Sequence, residues 1–175
     1  MLKFSKKTKE EKPSLMAETT KPTDTSFHPL TISEVRRETE EAVSIAFDVP
    51  VEHQDKFTFL PGQYLTLKTT IANEEVRRSY SICAAPSDGE LRVAVKEIEG
   101  GKFSTHANRH LKAGMTIGSM PPMGNIKRGR TEEPARVVGW VAGLGITPIM
   151  STPKTDLESD SNDTFTLFNG KKHSS

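Results

Sequence analysis

The residues with the most suggestive chemistry lie side by side in Arg78-Ser79-Tyr80-Ser81. On a β-strand alternate side chains share a face, so Arg78 and Tyr80 point one way while Ser79 and Ser81 point the other. A guanidinium can grip a phosphate through two parallel hydrogen bonds, and a phenol ring can lie against a flat heterocycle. The pair suits a molecule carrying both a diphosphate and a fused ring, with Ser81 adding a hydroxyl or an amide. The same alternation occurs on ordinary half-exposed strands, and both readings stand at this point. A second feature is Gly100-Gly101-Lys102-Phe103-Ser104-Thr105, where flexible glycines lead into a short helical stretch. Open amides and the positive end of a helix favour an anion there, phosphate above all. A glycine-capped turn that binds nothing is the other reading.

Other reactive side chains form no comparable set. His28, His53, His106, His110 and His173 are scattered, and His106 and His110, four apart, lack the Glu that follows the first His in zinc protease helices. No metal site is expected. The one cysteine, Cys83, excludes an intramolecular disulfide, a four-thiolate iron–sulfur cluster and a cysteine-rich zinc site. It shares a strand with the Arg-Tyr pair and is expected to be a small core residue. Lys+Arg of 24 against Asp+Glu of 23 gives a net charge of +1, without the basic bias of a phosphate-tracking surface. Two Tyr and one Trp also argue against an aromatic-lined oligonucleotide barrel. Lys127, Arg128 and Arg130, and the run Lys3, Lys6, Lys7 and Lys9, are expected to be solvated.

The elements that must hold these residues are mostly strands. The chain has 175 residues, about one domain with room for part of a second, and 34% of them are hydrophobic, enough for a modest core. Residues 1–26 are rich in Lys, Thr, Ser and Glu without apolar periodicity and read as a disordered leader, with Met16 a second possible start. Strands are expected over 30–35, 43–49, 64–70, 76–83, 91–98 and 116–119, with Val43, Ile45, Phe47 and Val49 on one face and Ser44, Ala46 and Asp48 on the other. Pro61-Gly62 is a turn signal, after residues 57–60. Six short strands suggest a small closed antiparallel barrel. One short helix is expected over 105–111, with Ser104 as its N-cap and Gly114 just beyond its end. After Pro134 the pattern becomes strand, glycine turn, helix and strand: the apolar run 137–142, Gly143 to Pro148, a helix over 149–157 and a strand over 164–168. This is one βαβ unit. Pro153 would break or delay its helix. No run approaches the roughly 20 apolar residues of a membrane span and no signal-peptide core is present, so a soluble, cytoplasmic protein is expected.

Read in order, Pro61-Gly62-Gln63-Tyr64, Arg78-Ser79-Tyr80-Ser81, Val95-Lys96, Gly101-Lys102-Phe103-Ser104 and Gly143-Leu144-Gly145-Ile146-Thr147-Pro148 resemble the motif series of the ferredoxin–NADP reductase superfamily. Within it, Phe27-His28-Pro29-Leu30, Glu75 to Cys83 and Met120-Pro121-Pro122-Met123-Gly124 are most similar to reductase subunits of phenylacetyl-CoA epoxidases. The resemblance implies an FAD-binding barrel over 27–130 and the start of an NAD(P)-binding domain over 135–175. Arg78 would meet the FAD diphosphate, Tyr80 the isoalloxazine and Ser81 its N5 edge. Val95 and Lys96 would flank the flavin, and Gly101, Lys102, Phe103 and Ser104 would hold the diphosphate. Gly143, Gly145, Thr147 and Pro148 would form the nicotinamide-side loop. The implied activity is that of an electron-transfer reductase component in phenylacetate degradation. Electrons would pass from NADH or NADPH to FAD and on to an oxygenase or an iron–sulfur carrier, with no residue needed as a general acid or base.

The sequence departs from that pattern after one βαβ unit. The later Cys-Gly motif and the four-cysteine ferredoxin module are absent from it, so a C-terminally truncated member is expected, without an iron–sulfur cluster of its own and with a doubtful NAD(P)H site. The competing expectation is a non-catalytic barrel that binds FAD or is merely a folded remnant.

Overall fold

The computed structural model describes residues 24–124, 136–142 and 164–170 of the chain. Six strands form one sheet: β1 (His28–Thr39), β2 (Ala42–Asp48), β3 (Tyr64–Ile71), β4 (Glu74–Ser81), β5 (Leu91–Lys96) and β6 (Thr116–Ser119). They run in the order β4-β3-β6-β1-β2-β5, and every adjacent pair is antiparallel. All six expected strands are present, with β1 extended to Thr39. The sheet is barrel-like but not closed as expected: its edge strands share no ladder and touch at the single bridge between Ile82 and Val93, with the Cys83 amide donating to the Arg92 carbonyl at 2.9 Å beside it. The seam is a point contact, whereas the other neighbours share ladders.

Alternation explains the core. Leu30, Ile32, Val43, Ile45, Leu65, Leu67, Val93, Val95 and Ile117 all point inward and are almost fully buried. One face of β2 departs from expectation: Ser44 and Ala46, assigned to the outer face, are also buried. The Arg92 side chain covers that face, donating from Nη1 to Ser44 Oγ at 2.9 Å and from Nε to Glu90 Oε1 at 2.9 Å, with Glu34 as a further partner. A polar residue under an ion pair does not need water to satisfy it.

Tight turns set the register. Pro61-Gly62 forms a turn closed by the Gln63 amide on the Leu60 carbonyl at 3.2 Å, and Gly62 takes the left-handed φ of 85° that a type II turn requires. The single helix described, α1 (Lys102–Arg109), begins three residues before the expected start, with Gly101 as its N-cap. Ser104 therefore lies inside the helix. Its hydroxyl accepts from the Ile98 amide at 3.1 Å and donates back to the Gly101 carbonyl at 3.2 Å, so it ties the preceding turn to the helix instead of capping it from outside. Phe103 and Ala107, four apart, with Leu111 beyond the helix end, form the stripe that α1 buries in the barrel core. The helix packs against β5, β4, β2 and β3.

Further along, β7 (Arg136–Ala142) and β8 (Thr164–Gly170) pair in parallel from Arg136–Thr164 to Ala142–Gly170, as a βαβ unit demands. The expected helix over 149–157, Pro153 and the leader up to residue 23 lie outside the described residues, as do Lys127, Arg128 and Arg130. Among the described residues no helix is long and apolar enough to cross a membrane.

Candidate functional site

The parting of the barrel's edge strands opens a cleft. Below the Ile82–Val93 bridge, Arg78, Tyr80 and Ser81 of β4 stand on one side, Ala94 of β5 and Ile98 stand on the other, and the start of α1 fills the end. The cleft holds about 330 Å³, within the range of roughly 300–1,000 Å³ usual for small-molecule sites.

Register places the functional side chains. Arg78 and Tyr80 pair with Leu67 and Leu65, which face the core, while Ser79 pairs with Thr66 on the outer face, their hydroxyls 3.0 Å apart. Arg78 lies at the mouth, exposed, with Nη1 donating to the Arg77 carbonyl at 2.6 Å. Tyr80 lies deeper, its ring 5.4 Å from that of Phe103 and tilted by 38°. Burial pushes the Tyr80 hydroxyl up to about 12, against a downward pull from Arg78, so at neutral pH it is a neutral donor.

The end wall is built from backbone. The first hydrogen bond of α1 runs from the Thr105 amide to the Gly101 carbonyl at 2.9 Å, so the amides of Lys102, Phe103 and Ser104 have no acceptor within the helix. Gly101 is required by space: a Cβ there would stand 2.3 Å from Ser104 Oγ and 2.9 Å from the Ile98 carbonyl oxygen. The Ser104 hydroxyl is spent on Ile98 and Gly101, which leaves its amide as the group to offer a ligand. Arg78 and Lys102 are the charged lining residues, and both are cations. Lys102 Nζ is held by the carboxylate of Glu74, whose carboxyl sits below the usual range because of that bond and the nearby Arg78 charge. Two cations, open amides and a half-buried ring in one apolar-walled cleft can receive a diphosphate joined to a flat ring.

Seven of the predicted residues thus meet in this cleft: Arg78, Tyr80, Ser81, Gly101, Lys102, Phe103 and Ser104. Two do not line it. Val95 is fully buried, and its carbonyl accepts from Asn108 Nδ2 at 3.1 Å. Lys96 is exposed and pairs with Glu41 Oε2 at 3.2 Å. Gly143, Gly145, Thr147 and Pro148 lie outside the described residues. Sequence reasoning passed over Ala94, Ile98 and Glu74. The signal for Ile98 was its place between a strand and two glycines; nothing local marks Glu74 as a partner of Lys102. A larger groove of about 820 Å³, lined by Phe47, Phe57, Phe59 and Arg92 among others, contains none of the predicted residues. Every Arg92 nitrogen there is already bonded to Glu90, Ser44 or Glu34. Among the described residues no three His, Cys, Asp or Glu side chains are placed to hold a metal.

Comparison with known proteins bears on the same residues. Residues 29–127 match the family of the oxidoreductase FAD-binding domain. One component of the 1,2-phenylacetyl-CoA epoxidase of Escherichia coli strain K12 is 44% identical over 151 residues, covering 86% of this chain and 42% of the relative. The ferredoxin reductase component of the 3-ketosteroid-9-alpha-monooxygenase of Rhodococcus rhodochrous is 36% identical over 130 residues, covering 73% of this chain and 36% of the relative. The chain therefore spans less than half the length of these curated relatives. Among solved structures, a ferredoxin NADP+ reductase from Neisseria gonorrhoeae with bound FAD and NADP superposes with a TM-score of 0.70 at 22% identity, covering 82% of this chain and 57% of that one.

Proposed function

The chain belongs to the oxidoreductase FAD-binding domain family, and from that premise we propose that the cleft holds FAD for a reductase component that passes electrons from NAD(P)H towards an oxygenase. The observation that carries this reading is the meeting of Arg78 and Tyr80 with the open start of α1 in a single cleft. The Arg78 fork and the Lys102–Ser104 amides bind the diphosphate, and Tyr80, backed by Phe103, orients the ring. Ser81, whose side chain belongs to the opposite face of β4, offers its backbone at the ring's edge. When bound, the flavin supplies the exchange between two-electron and one-electron transfer, while the protein positions it and excludes water. In this reading 27–130 is the FAD-binding unit, 135–175 begins an NAD(P)-binding domain whose Gly143, Gly145, Thr147 and Pro148 face the nicotinamide, and 1–26 is a leader. The names of the relatives support an oxygenase or iron–sulfur carrier as acceptor, and phenylacetyl-CoA epoxidation as the setting.

The test is the visible spectrum of the purified protein after incubation with FAD and desalting, beside an Arg78→Ala, Tyr80→Ala double variant. Flavin retained by the native protein and lost from the folded variant is the expected result. A folded native protein that retains none overturns the reading. Anaerobic NADPH then separates reductase activity, which bleaches the bound flavin, from FAD binding alone, where dithionite bleaches it and NADPH does not.

A further inference from the structure

Glu74 sits at the rim of the cleft without lining it, yet its carboxylate holds one of the two cleft cations. The β3–β4 hairpin turns through Ala72 and Asn73 with φ of 48° and 63°, a two-residue turn closed by the Ile71–Glu74 pair. That turn fixes where Glu74 leaves the backbone. From there Oε2 reaches Lys102 Nζ at the start of α1, and the Arg78 charge also acts on the carboxyl. The neighbouring Glu75 is engaged elsewhere, by Arg77 and by Lys68 Nζ at 3.4 Å. An anion is thus already seated on the lysine at the start of α1.

We propose that Glu74 is a built-in competitor for the diphosphate: it holds Lys102 and must yield it when the ligand binds. The inference rests on the FAD reading for the identity of the ligand. Both partners are more than half exposed, at 58% for Lys102 and 60% for Glu74, so the pair is weak and readily exchanged. To use Lys102 the ligand must break this pair, so Glu74 lowers affinity and keeps the flavin exchangeable.

FAD dissociation constants are measured by flavin fluorescence for the native protein, Glu74→Gln, Lys102→Ala and the double variant, at low and at moderate salt. Glu74→Gln is expected to tighten FAD by about twofold to fivefold at low salt, with the gain shrinking as salt rises. In the Lys102→Ala background the gain should be largely lost. Unchanged or weaker binding in Glu74→Gln overturns the proposal, as does an equal gain in both backgrounds. The same series titrated with pyrophosphate, followed by amide NMR shifts of Gly101 to Ser104, reads the competition without the flavin. A native protein that binds pyrophosphate and not FAD therefore fails the cofactor reading, while the pyrophosphate series still decides the role of Glu74.

Discussion

Cys83 shows how burial can quiet a thiol that lies close to the candidate cleft. It follows the bridge residue Ile82 and is half-buried, with Sγ directed at the Arg92 carbonyl at 3.5 Å. Burial pushes the thiol up to about 11, and the pull of the Arg92 charge does not restore it. The thiolate is the reactive form, so at neutral and mildly alkaline pH the folded protein holds almost none. The predicted outcome is that a disulfide reagent labels native Cys83 on the order of a hundredfold more slowly than the urea-unfolded chain at mildly alkaline pH, as two pKa units imply. The native rate should climb with pH towards about 11. Fast labelling with a midpoint near 8 or 9 would contradict the burial argument. The sequence reading makes Cys83 a small core residue on the strand of Arg78 and Tyr80, whereas it lies two residues beyond the end of β4 and is only half-buried. The geometry of Glu74 was not legible in the sequence, because its partner lies 28 positions away across a turn and a strand.

The strands were legible because the sequence alternates in most of them, although burial does not alternate in β2 or β5, and several turns carry Gly, Pro or Asn where the backbone needs them. The start of α1 was not. Gly101 and Ser104 both qualify as helix N-caps by residue type, and what decides between them is the Ile98 amide, which claims the Ser104 hydroxyl from six residues back. Which face of β5 would meet the cleft was equally hidden, since Val95 turns inward only because it pairs with the buried Val43 of β2. The same turn yields a prediction at this scale. Gly101 has an ordinary φ of −77°, so Gly101→Ala carries no dihedral penalty and its cost is purely steric, from the approach to Ser104 Oγ and the Ile98 carbonyl. Urea unfolding should show a loss of about 1–3 kcal/mol, the usual cost of overpacking. Adding Ser104→Ala removes the 2.3 Å contact but leaves the 2.9 Å one, so it should recover part of that loss. A fully stable Gly101→Ala would mean that the turn is not held as described.

At the scale of the molecule, the barrel has a weak side and a latch that guards it. The weak side is the seam between β4 and β5, open below Ile82 where Arg78 and Tyr80 line the cleft. The latch is Arg92, one residue from the bridge, only 5% exposed, and bonded to Glu90 beside it, Glu34 on β1 and Ser44 on β2. Ser44 in turn donates to Glu38 Oε1 at 2.6 Å, so the network spans three neighbouring strands. The sequence shows Arg92 as one polar residue in a strand, and its role depends on three partners brought together by the order β1-β2-β5. Removing one member of a buried ion pair costs about 3–5 kcal/mol when its partner stays buried. Here Glu34 and Glu90 are 51% and 38% exposed and can rehydrate, so Arg92→Leu should cost less, about 2–3 kcal/mol in urea unfolding. Because the Arg92 carbonyl also receives the Cys83 amide at the seam, loosening this strand is expected to disturb the cleft beside it. Arg92→Leu should therefore also weaken FAD binding, although Arg78, Tyr80 and the start of α1 are untouched. A variant that loses stability and binds FAD as before would show that the latch and the seam are independent. A loss below about 0.5 kcal/mol, the range of ordinary surface substitutions, would show that the network carries little of the fold.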